Sequence, residues 1–201
     1  MLRLYDFLAS GNGYKVRLLL TQLGIPFERI EVDILSGATR TPEYLAKNAN
    51  GRIPLLQISS DERLAESNAI LFYLAEGTAF LPKARWQRAK VLEWLFFEQY
   101  SHEPNIATPR FWLKYQLLNE ERRALLEQKR KLGYAALDVM ESHLARHAFF
   151  VAGSYSIADI ALYAYTHVAH EGGFDLGRYG AVRAWMERVR AEPGHIPITA
   201  G

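Results

Sequence analysis

Residues 50–70 read NGRIPLLQISSDERLAESNAI. Asn50-Gly51 is a turn dipeptide, and Ile53 to Ile58 after it reads as a strand with a proline at its start. Asp61-Glu62 turns the chain into a short strand, Arg63-Leu64-Ala65, close enough to the one before it to make a hairpin. Glu66-Ser67-Asn68 then begins a helix that runs to about Glu76. Two paired strands leading straight into a helix are the closing half of a small α/β domain.

The residues before this stretch supply the opening half. Leu2 to Phe7 alternates with period two, as a half-buried strand does. Val16, Leu19, Leu20 and Leu23 recur at helical spacing and form one apolar stripe. Gly24 and Pro26 end that helix. Phe27 to Ile34 alternates again, and Thr41-Pro42-Glu43 opens a short helix with threonine as N-cap and proline at the first helical position. The order is βαβ, a short helix, then ββα, over residues 1–77.

After Gly77 the pattern changes. Phe80-Leu81-Pro82 reads as a linker over 78–83, and residues 84–201 are helical in character. Gly133, Leu137, Met140 and Leu144 share a face. So do Ile157, Ile160, Ala161, Ala164 and Val168, and then Val182, Trp185, Met186 and Val189. Pro104 and Pro109 must bend or break the long helix that begins near Ala84. The architecture expected is an α/β domain followed by an all-helical one.

Bulk composition excludes several classes of function. Of 201 residues, 49% are hydrophobic and 23% charged, an ordinary globular balance. The net charge of +2 divides as −1 over residues 1–80 and +3 over the rest, so no nucleic-acid partner is expected. There is no cysteine, which removes disulfides, thiolate metal sites and any protein-thiol nucleophile. The longest apolar run, Ala69 to Ala75, is far short of a membrane span. A cytoplasmic protein without a signal peptide and without a membrane partner is the expectation.

Ser10-Gly11-Asn12-Gly13 lies between the first strand and the first helix, where unpaired backbone N–H groups can meet an anion. A dinucleotide phosphate is one reading, and Asp33 stands twenty residues past Gly13, about where a ribose-binding acid would be. Val16 occupies the position of the third glycine, however, and no Gly-Lys-Ser/Thr follows. Ser156 and Asp159 form a capping box, with Tyr155 placed to staple onto Ile160. His167-x-x-His170-Glu171 and His143-x₃-His147 have metal-like spacing but no third ligand, so no metal is expected.

The segments NGRIPLL, LAESNAI and VAGSYSIADIAL, each in the matching half of the chain, resemble the cytosolic-type glutathione S-transferases of bacteria. The resemblance spans essentially the whole chain. It implies a thioredoxin-like first domain, glutathione as co-substrate and a homodimer. Ser10 and Asn12 would face the sulfur of glutathione, whose thiol, mostly protonated at neutral pH, must be stabilised as the anion to react. Ser67, by its hydroxyl and N–H, would hold the γ-glutamyl carboxylate, and Glu66 the ammonium. Ile53 would pair with the tripeptide ahead of a cis bond to Pro54. Arg40, Thr39 and Lys15 are alternatives for the glycine carboxylate, Arg52 is expected in solvent and Tyr5 in the core. Tyr100 and Arg110 would line a pocket between the domains for an apolar electrophile, while Gly153, Ser156 and Asp159 have a structural part. The implied activity is detoxifying conjugation. Disulfide or peroxide reduction with glutathione supplying the sulfurs is one alternative, and a non-catalytic binding module of the same fold is another.

Overall fold

The computed structural model describes residues 1–201, which divide into two compact units: 1–76 together with 193–201, and 77–192. The tail from Pro193 was expected with the helical domain, yet it folds onto the first unit.

The first unit is thioredoxin-like. Its elements are β1 (Leu2–Asp6), α1 (Gly11–Gln22), β2 (Phe27–Glu31), a 3₁₀ turn (Ala38–Arg40), α2 (Pro42–Leu45), β3 (Leu55–Gln57), β4 (Arg63–Ala65) and α3 (Ser67–Ala75). The sheet order is β2-β1-β3-β4, with β2 parallel to β1 and the β3–β4 hairpin antiparallel, Leu56 opposite both Leu4 and Leu64. Leu4 and Leu56 from the sheet, Val16 and Leu20 from α1 and Ile70 from α3 are fully buried and form its core. β2 stops at Glu31, three residues short of the expected Ile34, because Asp33 turns the chain by accepting from Leu35 N and Ser36 N. Asp33 is therefore occupied in a turn of its own.

Beneath α1 lies an ion pair that hydropathy does not announce. Arg17 Nε is 2.9 Å from Asp6 Oδ2, and both side chains are completely buried. Arg17 also donates to Leu8 O at 2.6 Å, to Ile198 O at 3.1 Å and to Ala200 O, so one guanidinium ties β1, α1 and the tail together. Tyr14 Oη adds a 2.7 Å hydrogen bond to Ile196 O. Gly13 leaves room for this arrangement, because a Cβ there would lie 1.5 Å from Asp6 Oδ1.

The second unit is all-helical: α4 (Arg85–Phe97), a π-turn (Glu98–His102), α5 (Glu103–Lys114), α6 (Glu120–Leu144), α7 (Ile157–Thr166), a 3₁₀ turn (Ala169–Gly172) and α8 (Gly180–Arg190). The break expected from the prolines falls just ahead of Pro104. A proline ring clashes with the carbonyl four residues back, here that of Tyr100 inside the wider π-turn, while Pro104 itself sits in the first turn of α5. Pro109 is accommodated inside α5. The three apolar stripes read from the sequence all turn inward.

Every residue of α7 is buried. Its N-terminus is closed by the expected capping box of Ser156 and Asp159. Asp159 does more than cap. Its Oδ1 accepts from Phe150 N at 3.2 Å and Trp185 Nε1 at 2.9 Å, and its Oδ2 from Ser156 N at 3.0 Å and Ser156 Oγ at 3.1 Å. One carboxylate thereby joins α7, α8 and the 149–154 turn, where Gly153 has a φ of +67° that glycine adopts at little cost. Burial pushes the Asp159 carboxyl up to about 7, against these four donors. Tyr155, expected over Ile160, packs edge-on against Phe80 and Phe149.

Candidate functional site

The N-terminus of α1 is built by Ser10. Its extended backbone and its side chain, which accepts from Gly13 N at 3.3 Å, make it the N-cap. No acidic residue belongs to the first turn of α1. Asn12, half-buried, projects from this turn.

The N-terminus of α3 meets it. Ser67, buried at the first position of α3, donates from Oγ to Asn12 Oδ1 at 3.3 Å. Lys15, fully buried one turn into α1, donates to Ser67 Oγ at 3.3 Å and to Asn68 Oδ1 at 3.4 Å. The two helix N-termini thus share one polar cluster. Glu66 precedes α3 with its side chain exposed and its backbone at φ +67°, ψ 112°, a region that side chains rarely adopt. Backbone strain of this kind costs about 1–3 kcal/mol and is found where a segment is held for a purpose.

The loop before β3 is held by the turn at 38–40. Arg40 is exposed and donates to Asn50 O at 3.1 Å, and Thr39 is buried. Gly51 has a φ of +60°, and a Cβ there would come within 2.6 Å of Arg40 Nη1, so glycine is needed for both conformation and space. The Arg52 carbonyl is gripped by Tyr44 Oη and Asn48 Nδ2, each at 2.8 Å, while the Arg52 side chain is exposed. The Ile53–Pro54 peptide that follows is cis.

The remaining candidates lie elsewhere. Tyr5 is half-buried and donates to Gln57 Oε1 at 3.1 Å. In the second unit, Tyr100 is 87% exposed on the π-turn. Arg110 is buried, with its Nε donating to Glu171 Oε2 at 3.1 Å, and Lys114 meets the same oxygen at 2.8 Å. The Arg110 Nε is held in this ion pair. His143 and His147 stack on each other at 4.3 Å, and His167 on Tyr163 at 4.6 Å. No three His, Asp or Glu side chains converge as a metal site would require.

Sequence reasoning did not single out Asn68, and it offered Lys15 as one alternative for the glycine carboxylate, whereas the structure has Lys15 buried and donating to Ser67 and Asn68. The available signal was the helical spacing of Asn12 and Lys15, which puts both on the face of α1 that carries its open N-terminus.

The chain matches the family model for the glutathione S-transferase N-terminal domain over residues 1–76 and a C-terminal domain model of the same family over 123–188. It is 34% identical to glutathione S-transferase 3 of Zea mays, covering 96% of this chain and 90% of that protein. It is 32% identical to the disulfide-bond oxidoreductase YfcG of Escherichia coli, covering 96% and 92%. The crystal structure of a glutathione S-transferase from Pseudomonas fluorescens superposes with a TM-score of 0.96 at 54% identity, covering 99% of each chain. The chain belongs to the glutathione S-transferase family.

Proposed function

We propose that this protein is a glutathione transferase that binds glutathione across the joined N-termini of α1 and α3 and delivers its thiolate to an apolar electrophile. One observation supports the reading: the hydrogen bond from Ser67 to Asn12 joins a residue proposed for the sulfur to a residue proposed for the γ-glutamyl end. Glu66 takes the γ-glutamyl ammonium. The backbone N–H of Ser67, at the positive end of α3, takes the adjoining carboxylate. Ile53, ahead of cis-Pro54, pairs with the backbone of the tripeptide, and Thr39 and Arg40 serve its glycine end. Ser10 and Asn12 donate to the sulfur, so the thiol proton leaves for solvent and the thiolate attacks the electrophilic carbon while its leaving group departs with the bond pair. Tyr100 is the proposed contact for the second substrate. A homodimer in the cytoplasm is the proposed setting.

Calorimetric titration with glutathione, and then with its disulfide, tests this reading. The expected result is tighter binding of the reduced form, and no binding of either form would leave a non-catalytic module. Stronger binding of the disulfide would favour reduction, a reading supported by the oxidoreductase relative; both sulfurs would then come from glutathione, since the chain has none in cysteine. Glu66→Ala should weaken glutathione binding about tenfold, the value of one charge-assisted hydrogen bond. Ser10→Ala and Asn12→Ala should each raise the pKa of the bound thiol by about one pH unit, read from thiolate absorbance against pH. An unmoved titration in both variants would assign thiol activation to backbone N–H groups.

A further inference from the structure

Lys15 has no exposed surface and lies behind the cluster just described. A lysine ammonium has three donors and no acceptor, and its burial is tolerable where acceptors meet it. Ser67 Oγ and Asn68 Oδ1 are two of those acceptors. With one Ser67 lone pair turned to the ammonium, the Ser67 hydroxyl directs its own proton to Asn12 Oδ1. The consequence falls on Asn12, because a carboxamide has one accepting edge and one donating edge. With its oxygen toward Ser67, the NH₂ edge faces the other way. The reversed amide would present an oxygen to a thiolate, which repels it.

We infer that Lys15 is a positioning residue: acting through Ser67, it fixes the Asn12 carboxamide so that NH₂, not oxygen, faces the sulfur of bound glutathione. This rests on the glutathione site proposed above. It also gives the Ser67 hydroxyl a definite use, which is orienting Asn12, and leaves the glutamyl carboxylate to the backbone N–H.

The test measures two quantities on the full chain: affinity for S-methylglutathione, which has no thiol to ionise, and the pKa of the thiol in bound glutathione. Lys15→Met should raise that pKa by about one pH unit while affinity for S-methylglutathione changes less than threefold. Ser67→Ala should raise it similarly. Lys15→Gln keeps an N–H for Ser67 without the charge and should hold the pKa near that of the parent. The decisive comparison is Lys15→Met in an Asn12→Ala background. If Lys15 acts through Asn12, the double variant shows no larger shift than Asn12→Ala alone. Additive shifts, or a Lys15→Gln shift as large as that of Asn12→Ala, would overturn the inference and make Lys15 a direct field on the sulfur. Should Lys15→Met fail to fold, Lys15→Gln and Ser67→Ala decide together: a parent-like pKa in the first with a raised pKa in the second supports the inference, and any other combination overturns it. Failure of the parent to bind either compound would overturn the glutathione site itself, whereas a binding parent with an unmoved Lys15→Met pKa would overturn the positioning role alone.

Discussion

Arg17→Met is expected to destabilise the protein by about 3–5 kcal/mol, the cost of leaving one partner of a buried ion pair without the other. The substitution strands the Asp6 carboxylate beneath α1 and removes the donor to Leu8 O, Ile198 O and Ala200 O. Urea unfolding reads the loss, and limited proteolysis should show residues 193–201 cut early. The deficit should also depend on pH. Burial already pushes Asp6 up to about 6, with the Arg17 guanidinium opposing. A carboxyl raised from its unfolded value of 3.8 contributes stability below that value and loses it as pH climbs through the folded value. Without Arg17 the folded value rises further, so the variant should lag the parent more at pH 8 than at pH 5. An equal deficit at both would mean the pair contributes packing and little charge interaction.

The second large effect is expected at Asp159. Asp159→Ala orphans Phe150 N, Ser156 N and Trp185 Nε1 in a fully buried setting, each worth about 1–3 kcal/mol when unsatisfied. The sum is limited by local relaxation, and a loss of about 4 kcal/mol is expected at pH 5, against about 1 kcal/mol for removing the cap hydroxyl in Ser156→Ala. Since burial raises Asp159 to about 7, the parent surrenders stability as pH rises from about 4 to about 7, and the alanine variant does not. The gap between them should therefore narrow toward pH 8. A gap that widens would show that the four donors dominate and hold the carboxylate charged throughout.

What could be read in advance follows from where the information lies. The alternation of Leu2 to Phe7, the stripe from Val16 to Leu23 and the capping box at Ser156 are local patterns, and each appears as a built element. The β3–β4 hairpin and α3 were legible because turn residues punctuate 50–70 closely. The ion pair was not, since periodicity marks which face of α1 is inward but not that a charged residue on it has a partner in β1. The tail was illegible for the opposite reason. Residues 193–201 have no period, two prolines and few large side chains, and their place is set by hydrogen bonds to Tyr14 and Arg17, far away in sequence. At the candidate site, it was the family resemblance that pointed to Ser10, Asn12, Glu66 and Ser67. The direction of the hydrogen bonds joining Asn12, Ser67 and Lys15 depends on distances that only a folded chain supplies.

The discontinuity of the first unit has a consequence for synthesis. A ribosome translating at about 5–20 residues per second needs on the order of ten seconds to pass from residue 76 to residue 193. Throughout that interval β1 and α1 have emerged while the segment that accepts from Arg17 has not yet been made. The nascent first unit must wait with a charged pair beneath α1 only partly covered, while the helical unit completes its own core. Folding of this chain is therefore expected to finish at both ends of the sequence together, and a gene fragment stopped at residue 76 should yield a loosened, protease-sensitive product.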